Sequence, residues 1–273
     1  MTVLVTGATG KTGRSLVPLL QQNGIPHRAA SRSGAAPFDW TDPATWDAAL
    51  EGVTAIYLIA PGNVPDPYAR MIAFCERAQA KGVTRFVLLS MSSLPAGPWG
   101  HGLVHQWLID HAVDWAVLRP TAFMQNFSEG PFLASIRDEN TIYSNTGNGR
   151  VAFIDAADIA ACAYAALTAP APLNRDFTLT GSERLSYDDV AATLTRATGR
   201  TITHTHISTE AMAARFVQRG LPELTAQFLA AGYATIATGA EDRSTADVQT
   251  LTGQAPTTFA AFATAHAGAW RRA

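Results

Sequence analysis

Lysine is nearly absent from this chain. Among 20 basic side chains only Lys11 and Lys81 are lysines, and charged residues fill 15% of the 273 positions, against roughly 25% in an average soluble domain. The formal net charge of −2 leaves no basic excess to set against phosphates, which argues against a nucleic-acid binder or a binder of anionic membranes. Cysteine is as scarce. Cys75 and Cys162 both fall in helix-like sequence and are too few for a disulfide framework or a cysteine zinc site. No apolar run approaches the roughly 18 residues of a membrane helix. The chain runs directly into the strand-like Thr2-Val3-Leu4-Val5-Thr6, without the charged and then apolar regions of a secretory leader. These absences lead us to expect a soluble, cytoplasmic protein.

What is present is an alternation of strand and helix signals. Short apolar runs at 3–6, 27–31, 55–59, 85–89 and 115–118 alternate with helical patterns at 11–23, 43–50, 65–81 and 102–111. Asn23-Gly24 and Lys81-Gly82 close two of the helices. Continuous apolar strands joined by crossover helices predict a parallel sheet covered on both faces, a Rossmann-like, doubly wound α/β fold. Beyond about residue 140 the rhythm loosens. Strands are expected at 151–154, 177–180 and 204–207, and helices at 155–167 and from Ser186 to Gly199. The expected division is a dinucleotide-binding domain over 1–175, followed by a smaller, mainly helical, substrate-covering lobe over 176–273.

The segment Val5-Thr6-Gly7-Ala8-Thr9-Gly10-Lys11-Thr12-Gly13-Arg14 ends the first strand and opens the first helix. In that context a Gly-x-x-Gly-x-x-Gly run has a mechanism. Gly7 permits the tight turn, Gly10 lets the backbone approach a pyrophosphate, and Gly13 lets helix and strand pack closely. The helix N-terminus turns its N–H groups and positive dipole end towards the phosphates. Gly10-Lys11-Thr12 is not a Walker A loop, because Val5 stands where that motif needs its first glycine. An NAD site usually places an acid about 20 residues further on, for the ribose 2′-hydroxyl. Here the chain reads Ala30-Ser31-Arg32-Ser33, so Arg32, with Ser31 beside it, suits a 2′-phosphate and the expected cofactor is NADPH.

The lysine count also decides a question of catalysis. Many reductases of this architecture protonate a carbonyl oxygen with a tyrosine activated by a lysine four residues later. The residues four before Lys11 and Lys81 are Gly7 and Arg77, so no Tyr-x-x-x-Lys exists anywhere in the chain. A positioned general acid contributes roughly 10²–10⁴-fold. Hydride acceptors that need no such acid are therefore expected: a quinone, an iminium or a conjugated enone.

With these residues in view, the chain resembles the NmrA-like family of atypical short-chain dehydrogenases. Within it, the chain is similar to NADPH-dependent quinone reductases and ergot-alkaloid-type reductases. The resemblance rests on the glycine loop, Ser31-Arg32-Ser33, Phe38-Asp39-Trp40, Leu118-Arg119-Pro120 with Phe123-Met124-Gln125-Asn126, Phe153-Ile154-Asp155 with Asp158, and Leu179-Thr180-Gly181. It implies that Asp39 lies by the adenine, that Ala60 and Pro61 follow the ribose and pyrophosphate, and that Ser90, Met91, Ser92, Thr121 and Phe123 lie near the nicotinamide. Thr9, Lys11 and Thr12 join the loop glycines as cofactor contacts. His101 matches a histidine that some quinone reductases of the family carry, while His105 stands where relatives often have Glu. The family also offers a second reading, a non-catalytic NADP(H)-binding redox sensor of the NmrA type.

Among the remaining candidates, His101 and His105 share a helix face. Solvent or His101 is expected to complete protonation, since a histidine titrates near neutrality, and His105 is expected as a substrate contact. Trp99, Phe123, Met124 and Phe127 form the expected apolar wall for a small aromatic or quinone-like substrate. No metal site is expected, because 101–105 lacks a zincin glutamate and His204 and His206 show no third ligand. One consequence is directly measurable. A charge-assisted hydrogen bond is worth roughly 1.5–3 kcal/mol, so Arg32→Ala raises the dissociation constant of NADPH at least about tenfold and leaves that of NADH nearly unchanged. Equal effects on both cofactors would remove Arg32 from the site.

Overall fold

The computed structural model describes residues 1–31, 36–62 and 64–272. In chain order its main elements are β1 (Val3–Val5), α1 (Gly13–Gln22), β2 (His27–Ser31), β3 (Ala36–Pro37), α2 (Trp46–Leu50), β4 (Ala55–Ile59), α3 (Pro67–Ala80), β5 (Arg85–Leu89), α4 (His101–His111) and β6 (Asp114–Pro120). There follow α5 (Gln125–Ser128), β7 (Thr141–Ser144), α6 (Ala156–Thr168), β8 (Arg175–Leu179), α7 (Tyr187–Thr198), β9 (Thr203–His206), α8 (Thr209–Gln218), α9 (Glu223–Ile236), α10 (Asp247–Thr252) and α11 (Phe259–Ala265).

Seven strands form one sheet in the order β3-β2-β1-β4-β5-β6-β8, and every pairing is parallel. The expected doubly wound sheet is present. Its central strands β1, β4, β5 and β6 are largely buried on both faces because helices cover both. Leu4, Ile56, Leu58, Phe86 and Leu88 join Trp46, Met71, Phe74, Trp107 and Leu108 in one core, which α2, α3 and α4 complete. The intervening Tyr57 faces the other way, where its buried hydroxyl donates to Thr12 Oγ1 at 3.2 Å. Running outward from β1 to β3 and then back to β4 places the reversal of strand order between β1 and β4. In open α/β sheets, ligands gather in the crevice at the carboxyl ends of such a pair.

The chain divides into two compact units. One comprises Met1–Pro120, Ala156–Leu179 and Asp247–Gln254; the other comprises Thr121–Asp155, Thr180–Ala246 and Ala255–Ala273. This differs from the expected boundary after residue 175. The chain leaves the sheet after β6, returns for α6 and β8, and returns again for α10, whose Asp247 Oδ2 accepts from the Thr178 N–H at 2.8 Å.

The second unit has its own aromatic core. Phe127 stacks on Phe132 at 5.1 Å between ring centroids and meets Phe153 and Phe259 edge-on. Its carbonyl accepts from Trp270 Nε1 at 2.8 Å. A two-stranded parallel ribbon, β7 with β9, lies in the same unit. The strand expected at 151–154 is reduced to isolated bridges, Val151 to Leu185 and Ile154 to Phe123. Gly181 is required beside it, since a Cβ there would lie 1.9 Å from the Phe153 carbonyl oxygen.

Phe127 has no exposed surface. Its truncation to alanine in so crowded a core is expected to cost about 3–5 kcal/mol, read as a lower midpoint of urea unfolding. A loss below about 1 kcal/mol contradicts the core assignment.

Candidate active site

The turn after β1 is built around contacts that tolerate no side chain. At Gly13 a Cβ would lie 2.3 Å from the Gly7 carbonyl oxygen and 2.7 Å from Ala8 Cα. Gly7 has φ +66° and lies against Ile59, so both its conformation and its neighbour favour glycine. The Gly10 N–H donates to the Gly7 carbonyl at 2.9 Å and closes the turn. A clasp ties this turn to β4. Thr6 Oγ1 donates to the Tyr57 carbonyl at 2.9 Å and accepts from the Ile59 N–H at 2.8 Å.

Thr12 occupies the N-cap of α1 yet makes no side-chain cap bond. Its hydroxyl serves Tyr57 instead, so the side chain that ordinarily satisfies first-turn N–H groups is directed elsewhere. Gly7, Thr9 and Gly10 are exposed, which leaves a glycine-lined cradle with a positive dipole end. That arrangement fits a pyrophosphate.

The other cofactor candidates of this unit fall on the same edge of the sheet, because all its strands are parallel. Ala60 and Pro61 follow β4, and Ser90, Met91 and Ser92 follow β5. Ser90 Oγ is buried without a hydrogen-bond partner among the described residues. The Arg119 guanidinium donates to the Ser92 carbonyl at 2.8 Å and pairs with Asp176, fixing the backbone at the carboxyl end of β5. Ser31 ends β2, whereas Arg32 and Ser33 lie outside the described residues. The Asp39 carboxylate organises the turn after β3, accepting from Thr41 N–H and Oγ1, both at 2.7 Å. Thr121 and Phe123 belong to the second unit, where Thr121 Oγ1 donates to the Ala152 carbonyl.

His101 opens α4, downstream of the carboxyl end of β5. Its Nδ1 lies 3.4 Å from the Tyr68 hydroxyl, with the rings edge-on at 5.1 Å. Burial pulls the His101 pKa below the usual histidine value and pushes that of Tyr68 up. The imidazole is therefore neutral at pH 7. With the Tyr68 hydroxyl donating to Nδ1, the remaining proton sits on Nε2. Tyr68 carries no motif and sequence reading missed it; only its place one turn from Pro65, across from α4, reveals it.

Three of the expected substrate contacts are enclosed side chains. His105 is 3% exposed and packs edge-on against Trp115 at 5.6 Å. Desolvation lowers its pKa, with Asp176 opposing and Arg119 adding to the shift. Met124 and Phe127, at 1% and 0% exposure, are core of the second unit. Trp99 remains available at 77% exposure, and Phe123 is half-buried.

Residues 7–170 match the model of a family described as NAD(P)H-binding. The chain belongs to this family. It is 40% identical to agroclavine dehydrogenase from Claviceps fusiformis, over 99% of both chains. It is 38% identical to festuclavine dehydrogenase from Aspergillus fumigatus, over the full length of both. Among solved structures it resembles an NADPH-dependent quinone oxidoreductase from Escherichia coli, with TM-score 0.81 and 23% identity over 96% of this chain and 98% of the other, which shows the shared fold. This member of the NAD(P)H-binding family is an NAD(P)H-dependent oxidoreductase.

The cradle makes a test of its own. Gly13→Ala forces a Cβ into the Gly7 carbonyl and must open the β1–α1 turn. The expected result is a loss of at least about tenfold in NADPH affinity, about 1.4 kcal/mol, measured by fluorescence titration. Unchanged affinity in a folded Gly13→Ala protein contradicts the cradle.

Proposed function

We propose that this oxidoreductase passes hydride from NADPH to a small, planar, apolar acceptor that is already activated: a quinone, an iminium or a conjugated enone. The observation that carries the reading is where the two lysines stand. Lys81 follows α3, with its Nζ 3.2 Å from Asp47, and Lys11 lies in the glycine-rich loop. Neither follows a tyrosine by four residues. A simple ketone reduced here forms an alkoxide with no tyrosine–lysine acid to meet it, at a cost of roughly 10²–10⁴ in rate. A quinone or iminium accepts hydride without forming a strongly basic alkoxide. The names of the relatives, dehydrogenases of agroclavine and festuclavine and a quinone oxidoreductase, support acceptors with ring systems of this kind.

When bound, the nicotinamide supplies the hydride; the protein supplies position. Gly7, Thr9, Gly10, Lys11, Thr12 and Gly13 hold the pyrophosphate, and Ser31 with Arg32 holds the 2′-phosphate. Asp39 orders the turn beside the adenine. Ala60, Pro61, Ser90, Met91 and Ser92 follow the cofactor along the carboxyl ends of β4 and β5, towards its reactive end. Trp99 offers an apolar surface for the acceptor. With Tyr68 donating to Nδ1, His101 would donate a hydrogen bond from Nε2 to the oxygen of a quinone or enone acceptor.

Because His101 is neutral rather than cationic, it contributes a hydrogen bond worth about 1 kcal/mol rather than full acid catalysis. His101→Ala is therefore expected to lower kcat for NADPH-dependent quinone reduction about threefold to tenfold, with KM for NADPH unchanged. The wild-type rate is expected to stay level from pH 8 down to about 7, since burial moves the histidine's titration below its ordinary value of about 6.5. A loss under threefold, or an acidic limb near pH 7 that the variant abolishes, contradicts this role.

A further inference from the structure

The second unit brings together three side chains that no part of the redox site uses. β9 carries His204 and His206 two residues apart, so both project from one face of the strand. Their rings lie 4.3 Å apart, inclined at 51°. The first turn of α7 adds Asp188, whose Oδ1 lies 3.3 Å from His204 Nδ1. A capping box between Ser186 and Asp189 holds that turn in place. One ligand atom from each of the three residues falls within 4.8 Å of the others. The third ligand absent from the local sequence is thus supplied by a helix 16 residues upstream of His204.

The arrangement around His204 goes beyond proximity. Its side chain is fully enclosed, and Nε2 lies 2.8 Å from Ser144 Oγ. Ser144 is itself buried and bonded to Thr146 Oγ1 at 2.7 Å. Ser144 Oγ can accept from Nε2–H, which turns the Nδ1 lone pair towards Asp188; in the other tautomer Nδ1–H donates to Asp188 Oδ1. Nδ1 lies 3.3 Å from Asp188 Oδ1, and a cation held between the two groups takes the place of the Nδ1 proton and leaves Nε2–H on Ser144. An outer hydrogen bond that fixes ring orientation is the usual support of a metal-ligating histidine.

We propose that Asp188, His204 and His206 form a binding site for a divalent transition-metal ion of the zinc, cobalt and nickel class. Two imidazole nitrogens and one carboxylate oxygen match the preference of such ions, whereas Ca²⁺ and Mg²⁺ demand oxygen ligands. Metal–ligand bonds of about 2.0–2.2 Å require the three atoms to close in by roughly 1 Å. His206 and Asp188 are exposed and their side chains have room to rotate inward, while His204 stays anchored. The remaining coordination positions open to solvent. Bound there, the ion ties α7 to the β7–β9 ribbon, which makes it a structural clamp of the second unit.

The test is calorimetric titration of the untagged, full-length protein with ZnCl₂, and with MgCl₂ as control. We expect one equivalent of Zn²⁺ to bind and Mg²⁺ to give no heat. His206→Ala and Asp188→Asn, both exposed positions, are each expected to weaken Zn²⁺ binding at least tenfold while leaving NADPH oxidation unchanged. Co²⁺ provides a second readout: its visible absorption at the site should appear in the wild type and disappear in both variants. Absence of Zn²⁺ binding up to about 1 mM, or one-equivalent binding that survives both substitutions, overturns the proposal.

Discussion

The close approach of helix α1 to the turn after β1 is the constraint on which the first unit depends. Only glycine at position 13 lets the helix begin against the Gly7 carbonyl, because a methyl group there would sit 2.3 Å from that oxygen. The packing is locked from the β4 side by the Thr6 hydroxyl, which donates to one backbone group of β4 and accepts from another. Tyr57 completes the arrangement by occupying the Thr12 hydroxyl. The same contacts that join β1, α1 and β4 therefore leave the helix start uncapped by its own side chain. The close packing and a cradle that fits a pyrophosphate are two results of one geometry.

The chemistry follows from what this frame omits. A doubly wound sheet presents its carboxyl edge to a nicotinamide cofactor whatever the reaction; the local acid decides which acceptors are reduced quickly. Here the lysines serve elsewhere, Lys81 in a surface ion pair and Lys11 in the phosphate loop. The polar group at the start of α4 is a half-buried histidine beside a tyrosine, its pKa lowered by desolvation. In the function we propose, such a pair orients and polarises, and the acceptor brings its own electrophilicity. The buried thiols do not alter this, since both cysteines are free and enclosed.

Much of the first unit was legible in the sequence. The strands at 27–31, 55–59 and 85–89 have the expected bounds, because continuous apolar runs between turn residues leave few alternatives. The glycine loop was equally plain, since its spacing reflects a local steric requirement. What sequence could not convey was long-range. The threading of α6, β8 and α10 back into the first unit depends on pairings such as β6 with β8, which no local pattern announces. Periodicity also cannot tell an aromatic that lines a cleft from one that fills a core. The enclosure of Met124, Phe127 and His105 was hidden from sequence for that reason. Tyr68 beside His101 and Asp188 beside His204 are likewise products of tertiary approach.

The central claim is that the acceptor, not the protein, supplies the electrophilicity, and it is tested most directly by NADPH oxidation at 340 nm with matched acceptors. A quinone, a cyclic iminium and a simple ketone of similar size are offered at equal concentration to the wild-type enzyme. The account predicts turnover with the quinone or the iminium at least about 10²-fold faster than with the ketone, the lower bound of what a positioned acid supplies. A ketone rate equal to that of the activated acceptors would contradict it.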